Sequence, residues 1–156
     1  MLLFILRHGH AEAQAETDAL RPLSASGREE LARNLSRCQA QLASIEEVLV
    51  SPLLRAKQTY ELACTYLPTV PMRISDLLKP GGNPHELVEY LAEQEQNGIQ
   101  SLLLISHLPL VGSVIDSLCG SEPGRYRMST ASLACLQCGP VAAGCASVES
   151  LHHARP

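Results

Sequence analysis

Aromatic residues are scarce in this sequence of 156 residues, which has four Tyr, one Phe and no Trp. The core must therefore be aliphatic, and the chain lacks the stacking side chains with which proteins bind single-stranded nucleic acid. Clustered positive charge is missing too, because the net charge is −4 and no run of Lys and Arg reaches three residues. We therefore expect no nucleic-acid partner and no surface for anionic membranes.

Long hydrophobic segments are also missing. The apolar run at residues 1–6 is too short for the core of a signal peptide. The positive charge is also on the wrong side, because Arg7 follows the run, whereas in a signal peptide the charge precedes it. No later stretch approaches the roughly 20 apolar residues that cross a bilayer. We therefore expect a cytoplasmic protein, whose six cysteines are free thiols.

Cys135 and Cys138 have the CxxC spacing that can support metal or redox chemistry. The pair lies inside an alternating, strand-like run, and no second pair follows at ligand distance. We interpret these cysteines as structural and expect neither a metal nor a cofactor.

Strand-like and helix-like segments alternate along the whole chain, without a repeat or an obvious linker. Strands are predicted at residues 2–6, 47–50, 72–74, 101–105, 132–137 and 146–151, and helices at residues 27–43, 54–66, 85–96 and 109–118. A capping box of Ser26 and Glu29 is predicted to begin the first helix. Apolar strands joined by crossover helices predict one α/β domain over 1–156, a three-layer α/β/α sandwich with a mainly parallel central sheet.

Candidate functional residues follow three of the predicted strands. Arg7-His8-Gly9 comes after the first strand, Ser51-Pro52-Leu53-Leu54-Arg55 after the second, and Ser106-His107-Leu108-Pro109 after the strand at 101–105. In open α/β sheets, ligands bind beyond the carboxyl ends of the parallel strands. Each of these residues alone is commonly an ordinary surface residue, but together they predict one pocket.

The residue types in this pocket indicate anion binding with a nucleophile. Arginine binds phosphate oxygens bidentately and stays charged at any working pH, whereas an imidazole near neutrality can attack phosphorus as the free base. Gly9 lacks a Cβ, which would let the backbone and a substrate approach closely. Pro109 is predicted to lie in the first turn of a helix, whose N-terminus would add donors.

These motifs resemble those of the histidine phosphatase superfamily, which includes phosphoglycerate mutases. The resemblance rests on Leu6-Arg7-His8-Gly9, on residues 51–59 and on Ile105-Ser106-His107, and it extends from residue 1 to about 120. Residues 18–24 and 106–112 look more narrowly like the SixA-type phosphohistidine phosphatases. The resemblance implies the superfamily's fold, with His8 as a nucleophile that carries a phosphohistidine intermediate.

The resemblance also implies roles for the charged neighbours of His8. Arg7 and Arg55 would bind the phosphoryl oxygens, and His107 would complete the pocket without a metal. Arg21, whose loop is expected to face the same edge, would be a further phosphate or substrate contact, or else a solvated loop residue or a partner for Asp18.

Mutases and many phosphomonoesterases of this superfamily carry an acid in an insertion after the second helix, where it protonates the leaving alkoxide. That insertion is missing here, and Asp76 is the sole acid in the corresponding residues 76–82. Asp18 and His10 remain candidates for proton transfer. Alternatively, Asp18 would merely orient Arg21. His10, at a position where SixA-type proteins often have an acid, would either tune His8 or face solvent.

Phosphohistidine needs less help from an enzyme acid, since its ring leaves as neutral imidazole. The sequence therefore predicts a phosphohistidine phosphatase whose partner is a histidine-phosphorylated protein, such as a histidine phosphotransfer domain, and which acts as a monomer. A small-molecule phosphomonoesterase of the same superfamily and a non-catalytic phosphohistidine-binding module are the alternatives.

Overall fold

A mixed sheet forms the centre of the molecule, whose computed structural model describes residues 1–154. Its strands are β1 (Leu2–Arg7), β2 (Glu47–Val50), β3 (Met72–Ile74), β4 (Ser101–Ser106), β5 (Leu133–Cys138) and β6 (Ala146–His152). The strand order is β3-β2-β4-β1-β5-β6. The first four strands run parallel, whereas β5 and β6 are antiparallel to their neighbours. The prediction of a mainly parallel sheet is confirmed.

Helices cover both faces of this sheet. They are α1 (Ala25–Leu42), α2 (Leu54–Ala63), α3 (Pro84–Gln96) and α4 (Leu110–Cys119), with short 3₁₀ turns at Asp18–Leu20, Cys64–Tyr66 and Asp76–Leu78. Apolar side chains of α1 and α2 pack on one face, and those of α3 and α4 pack on the other. The predicted three-layer α/β/α sandwich is therefore confirmed.

The central strand β1 supplies both apolar layers. Leu3 and Ile5 lie in the layer under α3 and α4, whereas Phe4 and Leu6 lie in the layer under α1 and α2. Each of these side chains is almost completely buried, and burial of one such side chain contributes roughly 1.5–3 kcal/mol. This burial fixes β1 firmly, so the residues that follow it begin from a rigid support.

The start of α1 differs from the prediction. The helix begins at Ala25 and its N-cap is Ser24, whose Oγ accepts a hydrogen bond from the Gly27 backbone N–H at 3.0 Å. The capping box of Ser26 and Glu29 is therefore wrong. The physical reason is tertiary, because the Ser24 backbone N–H donates to the His10 carbonyl at 2.9 Å and so places Ser24 at the cap.

The other predicted boundaries agree to within one or two residues, except that the α-helix predicted to end at Tyr66 ends at Ala63 and continues as a 3₁₀ turn. Pro109, the predicted first residue of α4, is its N-cap, and the helix itself begins one residue later at Leu110. The Val111 backbone N–H there donates to the His107 carbonyl at 3.0 Å, so it is engaged within the fold.

The cysteines are free thiols throughout. Cys135 and Cys138 lie in opposite apolar layers of the sheet, so their side chains cannot bind one metal ion together. Burial raises the pKa of the Cys138 thiol to about 11, which keeps it protonated and unreactive. Separately, no helix within residues 1–154 is long and apolar enough to cross a membrane.

Candidate active site

His8 lies directly beyond the carboxyl end of β1 and is 7% exposed. Its backbone N–H donates to the Ser106 carbonyl at 3.1 Å, and its own carbonyl accepts from Ala131 N–H at 3.0 Å. In the side chain, Nδ1 lies 2.6 Å from the Gly9 carbonyl oxygen. Since a carbonyl can only accept, Nδ1 carries the proton and Nε2 keeps its lone pair. The ring is thereby held with an unprotonated, nucleophilic Nε2.

Arg55 approaches this nitrogen from the first turn of α2. Its Nε lies 3.4 Å from His8 Nε2, and the residue is 5% exposed. Its two terminal nitrogens donate to Asp18, one to the carbonyl oxygen at 2.8 Å and the other to Oδ2 at 3.2 Å. Thr59 Oγ1 joins α2 to the loop after β1, since it accepts from Gly9 N–H at 3.2 Å and donates to the Arg55 carbonyl at 2.7 Å.

His107, beyond the carboxyl end of β4, completes the cluster. Its ring centroid lies 4.9 Å from that of His8, with the two planes tilted by 53°. Its Nε2 is 2.6 Å from the hydroxyl oxygen of Ser51, which follows β2. Its buried Nδ1 has no hydrogen-bond partner within residues 1–154.

Arg7 is the last residue of β1 and directly precedes His8. One terminal nitrogen donates to the Met128 carbonyl at 2.9 Å. Its buried Nε finds no hydrogen-bond partner in the described part of the chain. A buried donor without a partner is costly, so Arg7 Nε indicates an acceptor-rich ligand such as a phosphoryl group.

Burial and positive charge keep both histidines neutral. Desolvation, together with repulsion from Arg55 and Arg7, lowers the pKa of His8 to about 4, although the hydrogen bond to Gly9 opposes this. Desolvation and the charges around it lower the pKa of His107 to about 3. Burial, then repulsion from Arg55, lowers the pKa of Arg7 from its ordinary value. At neutral pH the site therefore combines two neutral imidazoles with two guanidinium groups.

The exposed edge of the pocket is formed by the loop before α1. Asp18 bridges two arginines, because Oδ1 accepts from Arg21 at 2.9 Å and Oδ2 accepts from Arg55. These bonds lower the pKa of the Asp18 carboxyl, and the bond from Arg21 has the larger effect. The pKa is lowered even though the side chain is 61% exposed. Arg21 also donates through Nε to the Glu12 carbonyl at 2.7 Å. The predicted pairing of Arg21 with Asp18 is thus present.

Three comparisons with known proteins place this geometry in a family. The model of the histidine phosphatase superfamily (branch 1) matches residues 3–79. The phosphohistidine phosphatase SixA of Escherichia coli strain K12 is 40% identical over 132 residues, which cover 83% of this chain and 81% of that protein. The chain belongs to the histidine phosphatase superfamily.

A further relative and a solved structure support the same family for this histidine phosphatase. The SixA homolog of Haemophilus influenzae is 32% identical over 78% of this chain and 79% of its own length. The solved structure of the protein histidine phosphatase SixA complexed with tungstate superposes with a TM-score of 0.89 at 34% identity, covering 99% of this chain and 97% of that one. The predicted family is confirmed, and so is the fold class.

The fold brings together four of the residues that the sequence singled out, namely Arg7, His8, Arg55 and His107. Gly9 lies beside them, but the space of its missing Cβ is taken by Leu31 Cδ1, at 2.6 Å from the position a Cβ would occupy. Gly9 thus permits α1 to pack against this loop, whereas the prediction assigned that space to a substrate. His10 lies outside the cluster, because its side chain is exposed and its Nδ1 bonds to Ser24 Oγ at 2.8 Å.

Asp76 lies in a cavity beside the site, of about 660 Å³, which it shares with Asp18, Leu53 and the loop 79–82. Its side chain is 83% exposed and pairs with Lys79 at 3.6 Å. Separately, residues 1–154 contain no group of three or more His, Cys, Asp and Glu side chains arranged to hold a metal ion.

The sequence pattern predicts no role for Ser51, Thr59 or the Met128 carbonyl. Ser51 and Thr59 begin and end the motif at residues 51–59, so their positions could have drawn attention to them. The Met128 carbonyl carried no signal, because a backbone acceptor does not depend on the side chain at that position.

Proposed function

We propose that this histidine phosphatase hydrolyses the N–P bond of a phosphorylated histidine on a partner protein. The observation that carries the proposal is the state of His8, which donates through Nδ1 to Gly9 and holds a lone pair on Nε2 beside Arg55. Similarity to SixA proteins over most of the chain supports phosphohistidine as the substrate class.

In the first step His8 Nε2 attacks phosphorus, a new N–P bond forms, and the N–P bond of the substrate breaks. Arg55 Nε exchanges its contact with Nε2 for a phosphoryl oxygen, while the unpaired Nε of Arg7 and Nδ1 of His107 bind the others. These donors are fixed before the reaction, so they stabilise the charge of the transferred group without reorganisation. The imidazole of the substrate departs neutral, since its other nitrogen carries a proton, taken up from water, when the N–P bond breaks.

In the second step water attacks the phosphorus of phospho-His8. Inorganic phosphate leaves, and His8 returns as the neutral ring, again with its proton on Nδ1. The Gly9 carbonyl stabilises the cationic phosphoimidazole between the two steps, because it accepts the hydrogen bond from Nδ1 throughout.

The free thiols support a reducing compartment, so we place this activity in the cytoplasm. The substrate is a protein surface, of which a histidine phosphotransfer domain is the model example. Arg21, partly exposed beside Asp18, is positioned to contact that surface.

The proposal is tested with a histidine-phosphorylated phosphotransfer domain. The wild-type chain should release phosphate and carry an acid-labile label on His8, whereas His8→Ala should do neither. His85→Ala is the matched control, because His85 is an exposed histidine on α3 that pairs with Glu89. Full release by His8→Ala would contradict the mechanism, and stable binding without a label would indicate a binding module.

Asp18 and Asp76 favour one alternative, since two acids line the cavity beside the site. Either acid, protonated, would assist the departure of an alkoxide from a small phosphate ester. Turnover of glycerol phosphate at a rate comparable to phosphohistidine, lost in Asp18→Asn or Asp76→Asn, would favour a phosphomonoesterase. We expect glycerol phosphate to be the poorer substrate by at least about 100-fold, the usual size of general acid catalysis.

A further inference from the structure

Ser51 makes a contact that neither the family assignment nor the proposed mechanism explains. It follows β2, is completely buried, and its hydroxyl oxygen lies 2.6 Å from His107 Nε2. This distance is typical of a strong O–H to nitrogen or N–H to oxygen hydrogen bond. Either group could be the donor from distance alone, so the remaining partners must decide.

The remaining partner of the Ser51 hydroxyl is a donor. The Leu53 backbone N–H donates to Ser51 Oγ at 3.3 Å, so this contact uses a lone pair of the oxygen and leaves its proton unassigned. Within residues 1–154, the one acceptor in contact with that hydroxyl is His107 Nε2. If His107 donated instead, the serine proton would be buried without an acceptor.

The other nitrogen of His107 leads to the same assignment. Nδ1 is buried without a partner, and the ring lies 4.9 Å from the ring of His8 and close to the charges of Arg55 and Arg7. A lone pair at Nδ1 would face the oxygens of an incoming phosphoryl group, whereas an N–H would donate to one of them. The neutral ring has a single proton to place, and its low pKa of about 3 keeps it neutral at working pH.

We propose that Ser51 is a positioning residue that sets the tautomer of His107: its hydroxyl donates to Nε2, and Nδ1 therefore carries the proton that binds a phosphoryl oxygen. This proposal rests on the proposed function for its catalytic consequence, but the tautomer is a property of the free protein. His8 and His107 then share one tautomer and present opposite ends to the pocket. Gly9 accepts at Nδ1 of His8 and leaves a nucleophile, whereas Ser51 donates to Nε2 of His107 and leaves a donor.

Nitrogen NMR of the histidine-labelled protein tests the tautomer directly. The signals of His107 are those that disappear in His107→Gln. In the wild type at pH 7, His107 should show a protonated Nδ1 and an unprotonated Nε2. In Ser51→Ala the proton should redistribute toward Nε2, because water or no partner then replaces the hydroxyl. A wild-type spectrum with the proton of His107 on Nε2 would overturn the proposal by itself, whatever Ser51→Ala shows.

Activity and anion binding give the second readout. Ser51→Ala should lower kcat/KM for a histidine-phosphorylated phosphotransfer domain by about 10- to 100-fold and weaken the binding of inorganic phosphate about tenfold, as loss of one pre-oriented donor does. Ser106→Ala is the matched control, because Ser106 is an equally buried serine whose hydroxyl donates to the Leu78 carbonyl at 2.6 Å. It should cost stability but leave the His107 tautomer unchanged and kcat/KM within about threefold.

The outcomes separate this proposal from the proposed function. If Ser51→Ala shifts the tautomer and weakens phosphate binding while the wild type hydrolyses no phosphohistidine, the tautomer assignment stands and the proposed substrate is wrong. If the wild type is active and Ser51→Ala keeps both the tautomer and kcat/KM, Ser51 has no positioning role. Ser51→Cys, which retains a weak donor, should recover part of the loss.

Discussion

The floor and the rim of the active site differ in how their side chains are held. The floor consists of Arg7, His8, Arg55 and His107, which lie at strand ends or in a first helical turn. They bond to backbone groups or buried side chains, apart from the bond of Arg55 to the exposed Asp18 carboxylate. The rim, residues 10–21, is almost wholly exposed and is held by contacts such as those of Asp18 and Arg21. Burial limits the movement of the floor side chains, whereas a rim side chain can exchange its partner for water.

Most of the stabilisation of the transition state should therefore come from the floor. Donors in a buried, charge-rich site act in a low effective dielectric and need no reorganisation, so each is worth several kcal/mol to a transition state. Exposed ion pairs such as Asp18 with Arg21 are screened and usually contribute about 0–1 kcal/mol.

The largest effect is expected in the floor, at Arg55. Arg55→Lys should lower kcat/KM about 1,000-fold. The planar guanidinium has enough N–H donors to bind the phosphoryl group, the Asp18 carbonyl and the Asp18 carboxylate together, whereas an ammonium does not. The measurement is phosphate release from a phosphohistidine protein. The control is Lys57→Arg, two residues further along the same helix. Retention of a tenth or more of the activity would contradict the assigned role.

The second largest effect is expected from acid, which should lower the free energy of unfolding through His8. The pKa of His8 is about 4 in the fold, whereas an unfolded histidine titrates near 6.5, so the unfolded state binds more protons between these values. The free energy of unfolding should therefore fall as pH falls from 6.5 to 4, by on the order of 3 kcal/mol from His8, and this contribution should level off below pH 4.

Urea unfolding of wild type and His8→Asn across pH 4–8 isolates this contribution. The wild type should lose more stability toward low pH than the variant. Parallel curves for the two proteins would mean that His8 is not the buried neutral base that the geometry describes.

A smaller effect is expected where the rim meets α1. A Cβ at Gly27 would lie against the backbone carbonyl of His10, so Gly27→Ala must displace the loop or the helix and should cost about 1–3 kcal/mol or more. Gly112→Ala is the matched control on α4, since its Cβ would meet nothing closer than Leu108 Cδ2 at 3.6 Å. That variant should gain up to about 1 kcal/mol from helix propensity. Thermal or urea unfolding compares the two, and equal shifts would refute the close approach.

The smallest effect is expected in the rim itself. Asp18→Asn and Arg21→Gln should each change kcat/KM for a phosphohistidine protein by less than about tenfold, because both side chains are partly exposed and can rebind water. Raising the salt concentration should reduce even this difference. A loss near that of Arg55→Lys would move Asp18 into the catalytic group and would revive its candidacy for proton transfer.

Much of the fold was predictable because it depends on local patterns. The apolar run of β1, the Pro and Gly residues between segments, and the one-sided face of α1 with Leu31, Leu35 and Cys38 are properties of short windows of sequence. The convergence of His8, Arg55 and His107 was predictable as well, because the carboxyl ends of neighbouring parallel strands meet at one edge. The cap of α1 was not, since Ser24 is placed by the His10 carbonyl.

Sequence alone therefore determined the family, the layered architecture and the set of four charged or basic residues at the floor. Tertiary structure decided what each of them does with its protons. Whether an imidazole is a nucleophile or a donor depends on which partner lies at its other nitrogen, and for His8 and His107 those partners are the Gly9 carbonyl and the Ser51 hydroxyl. Tertiary structure also decided which group fills the space left by the missing Cβ of Gly9. That group is a side chain of α1, because the fold packs Leu31 against the loop there.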